Sequence, residues 1–524
     1  MPEELSVSRQ KVVLEQELVP AILDDNYRNY YEIFVSSFAD SNNDKIGDLK
    51  GIDSKLSYLH DIGYTGIWLT PIFTASSYHK YNTTDYFSID PSFGTMDDLK
   101  NLVSHAHQLN IKVILDGVFN HCGKASSYYQ NAIAEHAKKK EGKSYDEKKE
   151  GLIHFVDTIA EVESSSLHYH KADPYDFYYE CNFDDDMPEF DFDHEVTYTF
   201  LQSIVDYYMS EAIGVDGFRL DGVKYYDLGN MKKNIAVLNR INDMVKRRNG
   251  SGYLIGECWI ESSGDLSEYY DSSIDSFFWF PSGTGRGFLL STGVEGRFKT
   301  NYLEGQQTMI DSAKGHIPAP FLDNHDLPRI SDSDPRKTKF RLGLRDTLNG
   351  SIFNYYGDEI GMNSLHLPST SDYRDANYRT HYPWNDQTHL GETEDPPRAL
   401  AQISLFGDSV SQEKDPNSIL NYEKKALLWR NSIPAIARGN IAELSFEDES
   451  INQDYRNPLL VVQKSYQGEA YRLLYNFSAS KEVKYDTKGT NVISVLLADT
   501  KLPATTADTM LNLPPYSIAL LKAQ

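Results

Sequence analysis

The stretch GVDGFRLDGVKYYD at residues 214–227 sets an arginine and an aspartate, Arg219 and Asp221, inside what otherwise reads as a core β-strand. Residues two apart in a strand point to the same side, so the two charges share one face. Unpaired buried charges cost several kcal/mol, so these two either pair as structural glue or stand at a strand end where they serve a site. Alone, the stretch supports both readings. Other apolar runs also end in polar groups: Asp116, running on to Asn120-His121; Glu257; and Asn324-His325-Asp326. Two carboxylates flanking a bond, with a third nearby, are the equipment for glycoside cleavage through an oxocarbenium-like transition state. One must be an ionised nucleophile, which a neighbouring arginine keeps charged, and the other a protonated acid in a less polar setting. Arg219 beside Asp221 meets the first need. Glu257, between Gly256 and Cys258-Trp259, meets the second.

Such residues need strands to carry them to one place. Short β-branched or aromatic runs begin at Tyr30, Gly66, Lys112, Gly217, Tyr253, Ser276, Pro318 and Ser351, with helix-like stretches between. Between the second and third runs, Thr95 reads as an N-cap with Asp98 three residues on, and Leu99, Leu102, Val103 and Ala106 recur at helical spacing. Strand and helix alternating through eight units predict an α/β fold, a (β/α)8 TIM barrel whose site lies at the C-terminal ends of its strands. The interval from Asp116 to Gly217 is far longer than its neighbours and predicts a small domain inserted after strand 3. Beyond Pro434, alternating runs such as NPLLVVQKSY and EAYRLLYNFS predict a C-terminal antiparallel β-sandwich. The expected boundaries are 1–116 and 196–434 for the barrel, 117–195 for the insertion and 435–524 for the sandwich.

Composition narrows the partners. A net charge of −26 argues against nucleic acid, which is bound through Lys/Arg clusters. No apolar run approaches the ~20 residues of a membrane span. Aromatics are 12% of residues, which suits sugar-binding surfaces and core packing alike. Cys122, Cys181 and Cys258 are an odd number without metal-site spacing, so neither a disulfide framework nor a zinc site is expected. The first residues lack an export signal, so a cytoplasmic monomer is expected, or a secreted protein if a leader has been removed.

The stretches DGVFNH (116–121), GFRLDGVKYY (217–226), GECW (256–259) and FLDNHD (321–326) resemble, in order, the four signature regions of the α-amylase family of retaining glycoside hydrolases. Residues 77–95, 355–362 and 378–384 resemble further family stretches. The resemblance implies Asp221 as nucleophile, Glu257 as general acid/base and Asp326 as transition-state stabiliser. It also implies Arg219, His121 and His325 as sugar contacts in the −1 subsite, with Tyr81 as a stacking platform and an α-glucan as substrate.

In DSNNDKIGD (40–48), Asp40, Asn42, Asp44 and Asp48 offer oxygen at alternate positions, and Ile46 can offer its backbone carbonyl, as in a calcium loop. An Asx-rich turn is the plainer reading. Resemblance to the calcium loop of the oligo-1,6-glucosidase-like branches favours structural Ca²⁺, and Asn120 stands where many amylases hold a second ion. Oligo-1,6-glucosidases carry Val after the nucleophile; Gly222 here leans toward α-1,4 bonds. Lys224 resembles the lysine of the leaving-group Lys-His pair, but Tyr225 replaces the histidine. The segment MPEFD (187–191) departs from the family pattern at Glu189, Phe190 and Asp191. The expectation is a retaining, endo-acting α-amylase on starch or maltodextrin. The alternatives are a 4-α-glucanotransferase or exo-acting α-glucosidase with the same residues, and an inactive glycan-binding barrel.

Overall fold

The computed structural model describes residues 10–523 apart from 13–16, 282–288, 290–296, 331, 365–374, 386–390 and 400–405. Seven strands form one parallel sheet: Asn29–Ile33, Gly66–Leu69, Lys112–Gly117, Gly217–Leu220, Tyr253–Gly256, Ser276–Phe277 and Ile352–Tyr355. Each lies beside its chain neighbour, except that the last pairs with the first. The expected strand from Pro318 fills the remaining gap with two single bridges, Ala319 to Phe278 and Phe321 to Phe353, and so closes the barrel. Prolines have no N–H to give a ladder, and here the Pro318 and Pro320 carbonyls accept from the N–H of Ser351 and Phe353 at 2.9 and 3.1 Å. A run that reads as a strand therefore pairs only one residue at a time.

Inward side chains fill the barrel. Tyr30, Trp68, Ile114, Ile255, Phe278, Phe321 and Phe353 form one cluster, with the Tyr30 ring 5.2 Å from Tyr253 and 4.8 Å from Phe353. The interior is thus packed, and the chemistry is left to the rim. Outside, the expected helix is Met96–Gln108, opened by a Thr95/Asp98 capping box and burying Leu99, Leu102, Val103 and Ala106.

Between Gly117 and the helix Glu195–Tyr208 the chain builds the insertion: a helix Ser127–Lys140 and a small antiparallel sheet of Phe155–Val156, Tyr178–Glu180 and Tyr169–Lys171. The C-terminal region is two antiparallel sheets, of five and four strands, closing on Leu459, Val461, Leu474, Leu511, Leu513 and Leu521. One boundary differs from expectation. Gln10 and Lys11, allotted to the barrel with the rest of 1–116, pair with Thr506 and Thr505 in the four-stranded sheet. These polar residues cover the open edge of Thr505–Ala507, which apolar periodicity could not foretell. All three cysteines are buried and free, and no helix among the described residues is long and apolar enough to cross a membrane.

Candidate active site

Parallel register does the positioning. Arg219 lies opposite Asp116 on one neighbouring strand and Ile255 on the other, and Leu220 lies opposite Gly117 and Gly256. The next residues, Asp221 and Glu257, therefore leave the sheet side by side. Arg219 sits beneath them, 1% exposed. Its Nη1 donates to Asp116 Oδ1 at 2.9 Å and Asp221 Oδ1 at 2.6 Å, while Nη2 lies 2.8 Å from Glu257 Oε2. The opening pair is thus part of a larger set in which one guanidinium holds three carboxylates.

The carboxyls differ in their surroundings. Burial, with the charges of Asp221 and Asp326, pushes Glu257 up to about 7 against the opposing pull of Arg219. Burial likewise raises Asp116 to about 7. Burial acts upward on Asp326 too, but His325, Arg379 and Arg219 together draw it down to about 2. Burial keeps His325 itself neutral above about pH 3, so the guanidinium of Arg379, 2.7 Å from Asp326 Oδ1, is the contact that holds the charge. One carboxyl is prepared to keep a proton and another to lose it, the pattern by which neighbouring groups divide acid and charge-stabilising work.

Asp221, Glu257 and Asp326 face a cavity of about 440 Å³, whose wall also includes Tyr81, His121, Gly222, Lys224 and Tyr225. Arg219 and His325 lie one layer behind this wall. The Tyr81 hydroxyl donates to Asp116 Oδ2 at 2.9 Å and lies 2.7 Å from His325 Nε2, and its ring stacks on His325 at 5.4 Å. His121 Nε2 meets the Tyr81 carbonyl at 3.1 Å, and its Nδ1 has no partner among the described residues. Lys224 Nζ donates to the Trp259 carbonyl at 3.1 Å. The ring of Tyr225, in the position of the missing histidine, lies 4.2 Å from that of Phe183, which in turn lies 5.3 Å from His121.

Several functional neighbours escaped the sequence reading. Arg379 supports Asp326 and also donates to the His325 carbonyl at 2.9 Å. Glu32, on the first barrel strand, holds His325 Nδ1 at 2.6 Å. Phe183, Asp184 and Met187 bring a loop of the insertion into the cavity wall, and Trp259 joins them, stacked on Phe280 at 4.9 Å. Arg379 lies within the quoted stretch 378–384, so a signal existed for it; Phe183 had none. The departure at 187–191 has a structural use. Glu189 pairs with His121 through the backbone, and its carboxylate accepts from the N–H of Asn182 at 2.8 Å, holding the loop beside Phe183.

The 40–48 loop lies apart from the cavity. Every carboxylate oxygen of Asp40, Asp44 and Asp48 accepts at least one hydrogen bond from the loop or the helix it precedes, and Asn42 Oδ1 accepts from the Asp44 N–H at 2.8 Å. The donors are all hard oxygens at alternate positions, and each of these side chains keeps at least one oxygen that accepts only a single hydrogen bond, so the set fits Ca²⁺. Asn120 is fully buried with both amide atoms unpartnered among the described residues.

A closed (β/α)8 barrel with an arginine-clamped set of carboxylates at its C-terminal rim defines a glycoside hydrolase type of protein. The family model described as the alpha amylase catalytic domain matches residues 32–439. "Alpha-amylase 3" of Dictyoglomus thermophilum is 32% identical over 444 residues, 81% of each chain. A "4-alpha-glucanotransferase" of Thermotoga neapolitana is 26% identical, covering 86% of this chain and 96% of its own. The solved structure of "Eubacterium rectale Amy13B" superposes with a TM-score of 0.84 at 29% identity, covering 97% of both chains. The chain belongs to the α-amylase family, and is an enzyme of that family acting on α-glucans.

Proposed function

We propose that the protein is a retaining, endo-acting α-amylase that hydrolyses α-1,4 bonds of starch, maltodextrin or related glucans. The observation that carries this reading is the Arg219 fork, which holds Asp221 on one arm and Glu257 on the other beneath the same cavity. Sharing one guanidinium favours the close spacing, ~5–5.5 Å, that double displacement uses. Asp221 attacks the anomeric carbon and forms a β-glycosyl ester, while Glu257 gives its proton to the departing glycosidic oxygen. Glu257, now a carboxylate, takes a proton from water, which attacks the same carbon and releases Asp221. Such acid/base assistance is worth ~10²–10⁴-fold. Asp326, kept charged by Arg379, stabilises the positive charge of the transition state, and Tyr81 and His121 contact the sugar being attacked.

The reading of an α-1,4 preference draws its support from Gly222. Its φ is +48°, and an added Cβ would lie 2.5 Å from Phe183 Cζ. The space that a valine would need is therefore filled by the ring packed on Tyr225. That aromatic wall also favours a second reading, in which a sugar acceptor displaces Asp221 in place of water and the enzyme acts as a 4-α-glucanotransferase. Structural Ca²⁺, held by Asp40, Asn42, Asp44, the Ile46 carbonyl and Asp48, would brace the loop that follows the first barrel strand. The loop is tied by backbone bonds to Gly391 and Glu394, near the Asp395 that holds His381.

Asp221→Asn and Glu257→Gln each abolish most turnover on a soluble α-1,4-glucan while circular dichroism stays native; near-normal turnover in either sinks the assignment. Chromatography of products from maltoheptaose and panose separates the modes. Mixed short products support endo hydrolysis, products longer than maltoheptaose support transfer, and release of glucose alone supports an exo-glucosidase.

A further inference from the structure

In the inserted sheet, four side chains converge that take no part in the cleft. His168 and His170 are two apart at the start of the strand Tyr169–Lys171, so they share a face. Cys181 faces His168 across the ladder, its N–H donating to the His168 carbonyl at 3.0 Å. The loop that follows returns Asp185 to this face. Asp185 Oδ1 lies 2.9 Å from His168 Nε2 and 3.9 Å from Cys181 Sγ, and Oδ2 lies 3.0 Å from His170 Nδ1. The ligand atoms of His168, Cys181 and Asp185 all fall within 4.8 Å of one another.

The plainer account is a carboxylate paired with two partly exposed histidines. In that account the fully buried thiol is only a long, weak donor, at 3.9 Å, to the oxygen that already meets His168. A nitrogen, a sulfur and an oxygen converging suit zinc-class ions rather than calcium. Bond lengths of ~2.0–2.3 Å in a tetrahedron imply ligand–ligand edges of ~3.5 Å, and the observed 2.9 and 3.9 Å bracket that value. The cysteine spacing had argued against zinc because the groups around Cys181 are not cysteines but a histidine at the strand start and a loop aspartate.

We propose that His168, Cys181 and Asp185 bind one divalent cation of the zinc class, with His170 orienting Asp185 through its second oxygen. The ion ties the base of the 181–187 loop to the sheet, and this loop carries Phe183, Asp184 and Met187 into the wall of the active-site cavity. The loop is already held from one side, since the Tyr179 hydroxyl donates to the Asp185 carbonyl at 2.7 Å. The metal completes that hold. Binding releases the thiol proton of Cys181 to solvent.

The test is cobalt(II) titration of the chelator-treated full chain, followed by displacement with zinc(II). The expected result is one equivalent of cobalt(II) with a thiolate-to-metal charge-transfer band, lost on adding zinc(II). Cys181→Ser abolishes the band, His168→Ala, at an exposed side chain, weakens binding at least tenfold, and His170→Ala weakens it ~10–100-fold, as loss of an orienting partner does. Absence of the band in the wild type overturns the proposal even if Cys181→Ser fails to fold. So does a band that survives in Cys181→Ser, because it places the thiolate elsewhere. Hydrogen exchange across 181–187 slows with zinc(II) in the wild type and not in His168→Ala; equal exchange with and without the ion overturns the tie to the cavity wall.

Discussion

Replacing Gly222 by alanine tests how the cleft wall is built. The substitution adds one carbon, which meets Phe183 Cζ at 2.5 Å, Phe183 Cε2 at 3.2 Å and Tyr225 Cδ2 at 3.4 Å. Backbone strain comes first: a left-handed φ costs an L-residue ~1–2 kcal/mol. The Phe183 ring must then swing away, giving up its packing on Tyr225 and His121, and aromatic pairs of this kind are worth ~0.5–1.5 kcal/mol each. Gly222→Ala therefore destabilises the enzyme by ~2–5 kcal/mol. Phe183→Ala alone removes only the ring contacts. In the double variant the clash no longer exists, so only the strain remains beyond the loss of the ring. The cycle should show a coupling of ~1–3 kcal/mol, as expected for residues in contact. Denaturant titration of the four proteins measures it. Strict additivity, or a Gly222→Val variant of normal stability that gains panose hydrolysis with Phe183 in place, refutes the reasoning that Phe183 occupies the valine's space.

Three further outcomes follow from the site. Glu257 must carry its proton, and burial raises it to about 7. Accordingly kcat/KM falls about tenfold per pH unit above that value, and a basic limb beginning only above pH 9 contradicts the assignment. Arg379→Gln removes the guanidinium that keeps Asp326 charged. It should lower kcat far more than it raises KM, and an unchanged kcat sinks that role. Calcium at 100 times its Kd should add about 2.7 kcal/mol of stability. Asp44→Asn should abolish the increment; the residue is exposed, and unlike Asp48 it caps no helix. No change in melting temperature on calcium addition refutes the calcium loop.

The fold was legible wherever burial leaves a pattern. The strands at Lys112–Gly117 and Gly217–Leu220 announce themselves as apolar runs ending in charge, and parallel register makes those ends neighbours. Asp221 and Glu257 could be paired in advance for that reason. Contacts made by loops carry no period. Phe183 reaches Tyr225 from the inserted domain, and Arg379 reaches Asp326 from beyond the last barrel strand, so their meeting is set by tertiary path alone. Gly222 was read as a marker of linkage; its left-handed backbone and the Phe183 ring beside it show what the position demands of the residue there. The segment from Pro318 shows the converse, with a strand-like composition but carbonyls as its main means of pairing.

The central claim is that Asp221 becomes covalently glycosylated. Glu257→Gln supplied with an α-maltosyl fluoride, whose leaving group needs no acid, should accumulate the ester because water attack lacks its base. Peptide mass spectrometry should then find the added maltosyl group on the peptide containing Asp221 and lose it in Asp221→Asn. An adduct on any other residue, or none under conditions where fluoride is released, contradicts the account.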